Sequence, residues 1–60
     1  MTQEELRKLY IKRLEVGKQG YIAKSIGIDA AILSRFRNNK IDLYPHLFEK
    51  LEAYLMKSED

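Results

Sequence analysis

The sequence predicts an all-α fold, a single compact domain of four helices, and three observations carry that prediction. Apolar residues recur at three- and four-residue intervals in four separate stretches; helix-starting and helix-stopping residues divide those stretches; no stretch shows the strict alternation of a half-buried strand. Sixty residues make room for one domain, and a chain of this size buries only about 60% of the surface its unfolded form exposes. Its stability is therefore thin, so good helix packing or self-association has to help.

The elements follow in order. Thr2-Gln3-Glu4-Glu5 has the form of a capping box, in which a hydroxyl and a carboxylate each satisfy a backbone N–H at a helix start. Leu6, Leu9, Tyr10 and Leu14 then make one apolar stripe, Glu4 and Lys8 are spaced to pair on the outside, and Gly17 is expected to end the helix. After a link over residues 17–20, Ile22, Ala23 and Ile26 predict a short second helix over residues 21–26. Gly27 stops it by supplying a left-handed backbone.

Asp29 stands where an N-cap is wanted, and a third helix is expected over residues 30–38. At 100° per residue Ile32, Leu33 and Phe36 point inward; Ala31, Ser34 and Asn38 lie opposite, Ala30 and Arg35 flank them, and Arg37 points sideways. The outward face is small and polar along its middle and cationic at its edges, a shape that lets the helix axis approach another surface closely. Asn38-Asn39-Lys40 reads as a turn, residues 41–44 as an extended connection, and Pro45 as the first residue of a fourth helix, where its missing N–H does no harm. Leu47, Phe48, Leu51, Tyr54 and Leu55 form the apolar stripe of that helix, while Glu49, Glu52, Glu59 and Asp60 keep its exposed side acidic. The last few residues are expected to fray. Tyr10, Tyr21, Tyr44 and Tyr54 are read as core or core-edge residues.

Charge is unevenly distributed. Residues 1–17 are nearly balanced; residues 18–40 carry five cations (Lys18, Lys24, Arg35, Arg37, Lys40) against the single acid Asp29; residues 41–60 carry two lysines against five acids. A basic middle and an acidic tail suggest one face suited to a polyanion and another repelled by it.

Several classes of function are disfavoured. The chain has no cysteine and one histidine, so thiolate zinc sites and disulfides are excluded and no His-rich metal cluster is possible. His46 is expected in a surface or capping role rather than as a metal ligand. No serine shares a nucleophile constellation with it, and Gly17 and Gly20 serve as helix punctuation rather than as a phosphate loop, so no enzyme activity and no cofactor or small-molecule substrate is expected. No apolar run approaches the roughly 20 residues of a membrane span, and the first residues lack a signal-peptide layout, which together predict a cytoplasmic protein without membrane contact.

Two short helices joined by a glycine-containing turn match the helix-turn-helix pattern, whose second helix enters the major groove of DNA. Ala23 followed four residues later by Gly27, the Asp29 cap, the run Ile32-Leu33-Ser34-Arg35-Phe36 and the turn Asn38-Asn39-Lys40 make residues 19–40 resemble the helix-turn-helix of the lambda-repressor and Cro-like family. The flanking helices also fall where that family has its first and fourth. Where the family commonly has an acidic residue, this chain has Arg37, and its usual fifth helix has little room here.

The resemblance implies an all-α, four-helix or five-helix lambda-repressor-like domain over residues 1–60 that binds double-stranded DNA as a homodimer, as a transcriptional repressor would. It implies base contacts from Ala30, Ala31, Ser34 and Arg35. Of these, Arg35 can donate two hydrogen bonds to guanine and the alanines can meet thymine methyl groups. Gln19 resembles the residue that meets a phosphate at the start of the second helix, and Lys18, Lys24, Arg37, Asn38, Asn39 and Lys40 become candidates for further phosphate contacts. Tyr54, Leu55 and Met56, the apolar residues least obviously used by the core, are the expected dimer surface. The rival expectation is a protein-interaction module, an antirepressor or corepressor on the same fold, favoured by the acidic fourth helix and opposed by the basic middle.

Overall fold

A computed structural model describes residues 1–57 of the chain. It contains four α-helices in chain order, α1 (Gln3–Arg13), α2 (Gln19–Ile26), α3 (Ala30–Arg37) and α4 (Pro45–Lys57), and no strand among the described residues. The expected fraying of the chain end, and the acids Glu59 and Asp60, lie outside those residues.

Local chemistry explains most of the helix ends. Thr2 caps α1 by a reciprocal box: its hydroxyl accepts from the Glu5 N–H at 3.1 Å, and the Glu5 carboxylate accepts from the Thr2 N–H at 2.8 Å. That backbone donor holds the Glu5 carboxyl below its usual range. α1 is regular only to Arg13, earlier than the expected stop at Gly17. Beyond it the chain tightens, with Glu15 N–H donating to the Lys12 carbonyl and both Val16 and Gly17 N–H to that of Arg13.

α2 begins two residues earlier than expected, because the Ile22 N–H already reaches the Lys18 carbonyl and draws Gln19 and Gly20 into the first turn. Gly27 closes α2 in the left-handed region at φ 71°, and Asp29 caps α3 by accepting from the Ala31 N–H at 2.8 Å. At the other end of α3, Asn39 takes φ 61° without being glycine. The Asn39 N–H donates to the Phe36 carbonyl and the Lys40 N–H to that of Arg35, the paired bonds of a Schellman stop.

The core gathers Leu6 and Tyr10 of α1, Ile22 and Ala23 of α2, Leu33 and Phe36 of α3, and Leu51 and Leu55 of α4. Two residues from connections complete it, Ile28 and Leu43. α2 packs on α3, while α1 packs on both α3 and α4. Leu55 belongs to this core and Tyr54 packs against it, which removes both from the expected dimer surface: each follows Leu51 by three or four residues and shares its inward side. Only Met56 of that trio is exposed. Tyr21 and Tyr44 also depart from expectation, at 68% and 71% exposure. Tyr21 falls on the outer side of the first turn of α2, and Tyr44 stacks its ring on the exposed His46 just before α4.

Two polar clasps unforeseen in the sequence tie α1 to the segment after α3. The Gln3 side-chain amide donates to the Leu43 carbonyl and accepts from the Leu43 N–H, at 2.9 and 3.0 Å. Arg7, buried on α1, donates from Nε to the Phe36 carbonyl at 2.6 Å and from Nη2 to the Ile41 carbonyl and the Asp42 carboxylate. Its guanidinium also lies 4.6 Å from the centre of the Phe36 ring. Glu4 and Lys8 do not pair; among the described residues the ion pair is Arg7–Asp42.

Candidate nucleic-acid interface

The geometry of α3 follows from its two anchored ends. Asp29 fixes its start, and the Arg7 clasp holds the Phe36 carbonyl in its last turn, where a cation also suits the negative end of the helix dipole. Between them Leu33 and Phe36 are fully buried and Ile32 half-buried, so the opposite side of this eight-residue helix, about 12 Å long, is turned to solvent.

That side carries the candidate base-reading residues together. Ala30, Ala31 and Arg35 are exposed and Ser34 is half-buried. Neither alanine extends past its methyl group, which leaves Arg35 as the long donor on a low surface. Its side chain makes no hydrogen bond or ion pair with the described residues.

The candidate phosphate-contacting residues divide into groups. Asn38, Asn39 and Lys40 form the exposed turn at the C-terminal end of α3. Lys18 and Gln19 sit at the start of α2, and Lys24 is exposed in its last turn. No side chain caps α2 at Lys18, so its first backbone N–H groups have no carboxylate or hydroxyl partner of the kind Asp29 gives α3. Arg37 is half-buried and close enough to Tyr10 to act on it electrostatically.

Gln19 is engaged in a way the sequence does not reveal. Its amide oxygen accepts from the Tyr10 hydroxyl at 3.1 Å and its amide nitrogen donates to the Ala30 carbonyl at 3.3 Å, so one side chain links α1, α2 and the first turn of α3. Burial pushes the Tyr10 phenol up to about 12, with the positive charge of Arg37 working in the opposite direction. The hydroxyl is therefore a donor to Gln19 across the physiological range.

The residues that reasoning from sequence missed are Arg7 and Gln3, which hold the end of α3 and the connection over residues 41–43. A signal for both exists in the helical period: Gln3, Leu6, Arg7 and Tyr10 share the inward side of α1. No group of histidine, aspartate and glutamate among the described residues is placed to hold a metal ion, and no described helix is long and apolar enough to cross a membrane.

Comparison with known proteins finds no match to a family model, to a curated protein or to a solved structure.

Proposed function

We propose that this chain is a sequence-specific duplex-DNA-binding domain of the lambda-repressor and Cro-like kind, acting as a small transcriptional repressor with α3 in the major groove. The observation that carries the reading is the outward side of α3: two exposed alanines, a half-buried serine and an unpaired arginine on a helix anchored at both ends. A low surface with one long fork of donors suits the floor of a groove whose base edges are read by arginine–guanine pairs and methyl contacts. The exposed Asn38-Asn39-Lys40 turn, the uncapped start of α2 and Lys24 supply donors for flanking phosphates, which fix register rather than sequence. Arg35 reads bases in this scheme. Lys18, Gln19, Lys24, Arg37, Asn38, Asn39 and Lys40 hold the backbone, Gln19 through its backbone N–H because its side chain is already bonded inside the protein.

Two copies bound to one duplex read half-sites about 34 Å apart, one helical turn. A gel-shift titration against mixed duplex fragments at two salt concentrations tests the reading. Neutralised phosphates release counterions, so binding weakens steeply with salt, by about 0.9 log units per phosphate for each tenfold rise. Absence of any shift at low salt contradicts DNA binding and favours the protein-interaction reading, for which the exposed Glu49 and half-buried Glu52 of α4 are the supporting feature.

A further inference from the structure

The reading above gives no part to the hydroxyl of Tyr10. The Tyr10 side chain is fully buried in the core, yet its hydroxyl donates at 3.1 Å to the Gln19 amide oxygen, and the amide nitrogen donates at 3.3 Å to the Ala30 carbonyl. Valence fixes the direction of this relay. A carbonyl only accepts, so the nitrogen end of the amide has to face Ala30, the oxygen end then faces Tyr10, and the hydroxyl has to donate. Burial keeps the phenol protonated well above neutral pH, so the donor persists.

Its place in the fold gives the relay a meaning. Gln19 is the first residue of α2 and Ala30 the first of α3, and the chain turns between the helices at Gly27, Ile28 and Asp29. Within that turn the left-handed Gly27 and the Ile28 N–H, donated to the Ala23 carbonyl, close the end of α2, while the Asp29 cap is local to α3. Among the described residues the hydrogen bond that spans from the start of α2 to the start of α3 is the one from Gln19. The relay also leads back to α1, where Tyr10 follows Arg7 by three residues on the inward side. Arg7 holds the Phe36 carbonyl in the last turn of α3, and Tyr10 reaches the Ala30 carbonyl in its first turn through Gln19. One side of α1 therefore holds both ends of α3.

We propose that Tyr10 is a positioning residue for duplex readout: its hydroxyl orients the Gln19 amide against the Ala30 carbonyl and so sets how α3 stands relative to the phosphate-holding start of α2. The inference rests on the DNA-binding function proposed above and extends it to a side chain that is buried and does not touch DNA. Without the hydroxyl, the half-buried Gln19 amide is free to rotate and exchange Ala30 for water. α3 keeps its cap and its core contacts but loses a fixed approach to the groove. Base readout needs donors placed to within about 0.5 Å, whereas phosphate contacts made by long, flexible lysines tolerate displacement. The loss therefore falls on a specific site and spares random DNA.

The test is a double-mutant cycle of the full chain, with Tyr10→Phe, Gln19→Ala and the two combined, read by fluorescence anisotropy on a duplex selected from a random pool and on a random duplex. Tyr10→Phe is expected to weaken binding to the selected duplex about fivefold, the worth of one neutral hydrogen bond, and to leave binding to the random duplex unchanged. Gln19→Ala weakens the selected site at least as much. In that background Tyr10→Phe has no further effect, because the relay is already cut. Loss of folded protein lowers binding to both duplexes in proportion, so the ratio between them is a readout that a merely structural role does not move; circular dichroism fixes the folded fraction of each sample. In the free protein the side-chain amide signals of Gln19 are expected to shift in Tyr10→Phe, which checks the relay without DNA. Unchanged affinity for the selected duplex, equal losses on both duplexes, additive losses or unmoved Gln19 signals each overturn the proposal while DNA binding stands. A wild type that binds neither duplex overturns the DNA-binding reading and this proposal with it, so the wild type alone tells the two failures apart.

Discussion

Arg7 and Arg35 serve the same short helix from its two sides, and they differ in almost everything but charge. Arg7, on the core side of α3, is buried, donates to two backbone carbonyls and a carboxylate, and lies over the Phe36 ring. Arg35, on the solvent side, is exposed, and its guanidinium bonds to nothing in the described protein. A guanidinium whose donors are satisfied inside the fold has structural work; one whose donors are all in water is available to a ligand. The difference separates the framework of α3 from the face proposed to meet DNA more sharply than residue type does.

The largest expected effect breaks the framework. Arg7→Ala leaves the Phe36 and Ile41 carbonyls without their charged donor and is expected to cost about 2 to 4 kcal/mol of folding stability. Urea denaturation measures it. A loss below about half a kcal/mol, the range of ordinary surface substitutions, contradicts the structural role.

Arg35→Ala makes the opposite pattern. Stability should stay within about half a kcal/mol of the parent, while affinity for a selected duplex site falls by about 1 to 3 kcal/mol and affinity for random duplex by much less. Equal losses on both duplexes remove Arg35 from base readout.

A third effect is confined to alkaline solution and sharpens the account of the core side. The Tyr10 phenol is raised from 10.0 unfolded to about 12 folded, so the native state keeps the proton longer than the unfolded chain. This contribution to stability is fully present below pH 10 and is lost as pH rises through about 12. Tyr10→Phe removes the titrating group, and its urea midpoint should fall less steeply than that of the parent over this window. Parallel pH profiles contradict the assignment.

Much of this was legible in the sequence because it is local. The Thr2 box, the Gly27 stop, the Asp29 cap and Pro45 opening α4 each depend on residues within a turn of one another, and the structure has them all. The side of α3 left to solvent was legible too, since a period of 100° needs no partner to be computed. What the sequence concealed spans long separations. Arg7 reaches residues 29 to 35 positions away and Gln3 reaches 40, and no spacing rule pairs them. Ile28 and Leu43 enter the core from connections, where no periodicity marks them. Leu55 is a different case, legible locally: it follows Leu51 by one turn and shares its inward side, so the helical period itself places it in the core. At the site itself, the Gln19 amide is committed to Tyr10 and Ala30, a three-helix contact that its position at the start of α2 does not announce.

The face of α3 proposed to meet DNA is tested most directly by following backbone amide signals while a duplex selected from a random pool is added. If α3 lies in the major groove, the signals of Ala31, Ser34 and Arg35 move first and furthest, with Asn39 and Lys40 following. Should those signals hold still while residues of α1 or α4 respond, the face that meets DNA is elsewhere and the account is wrong.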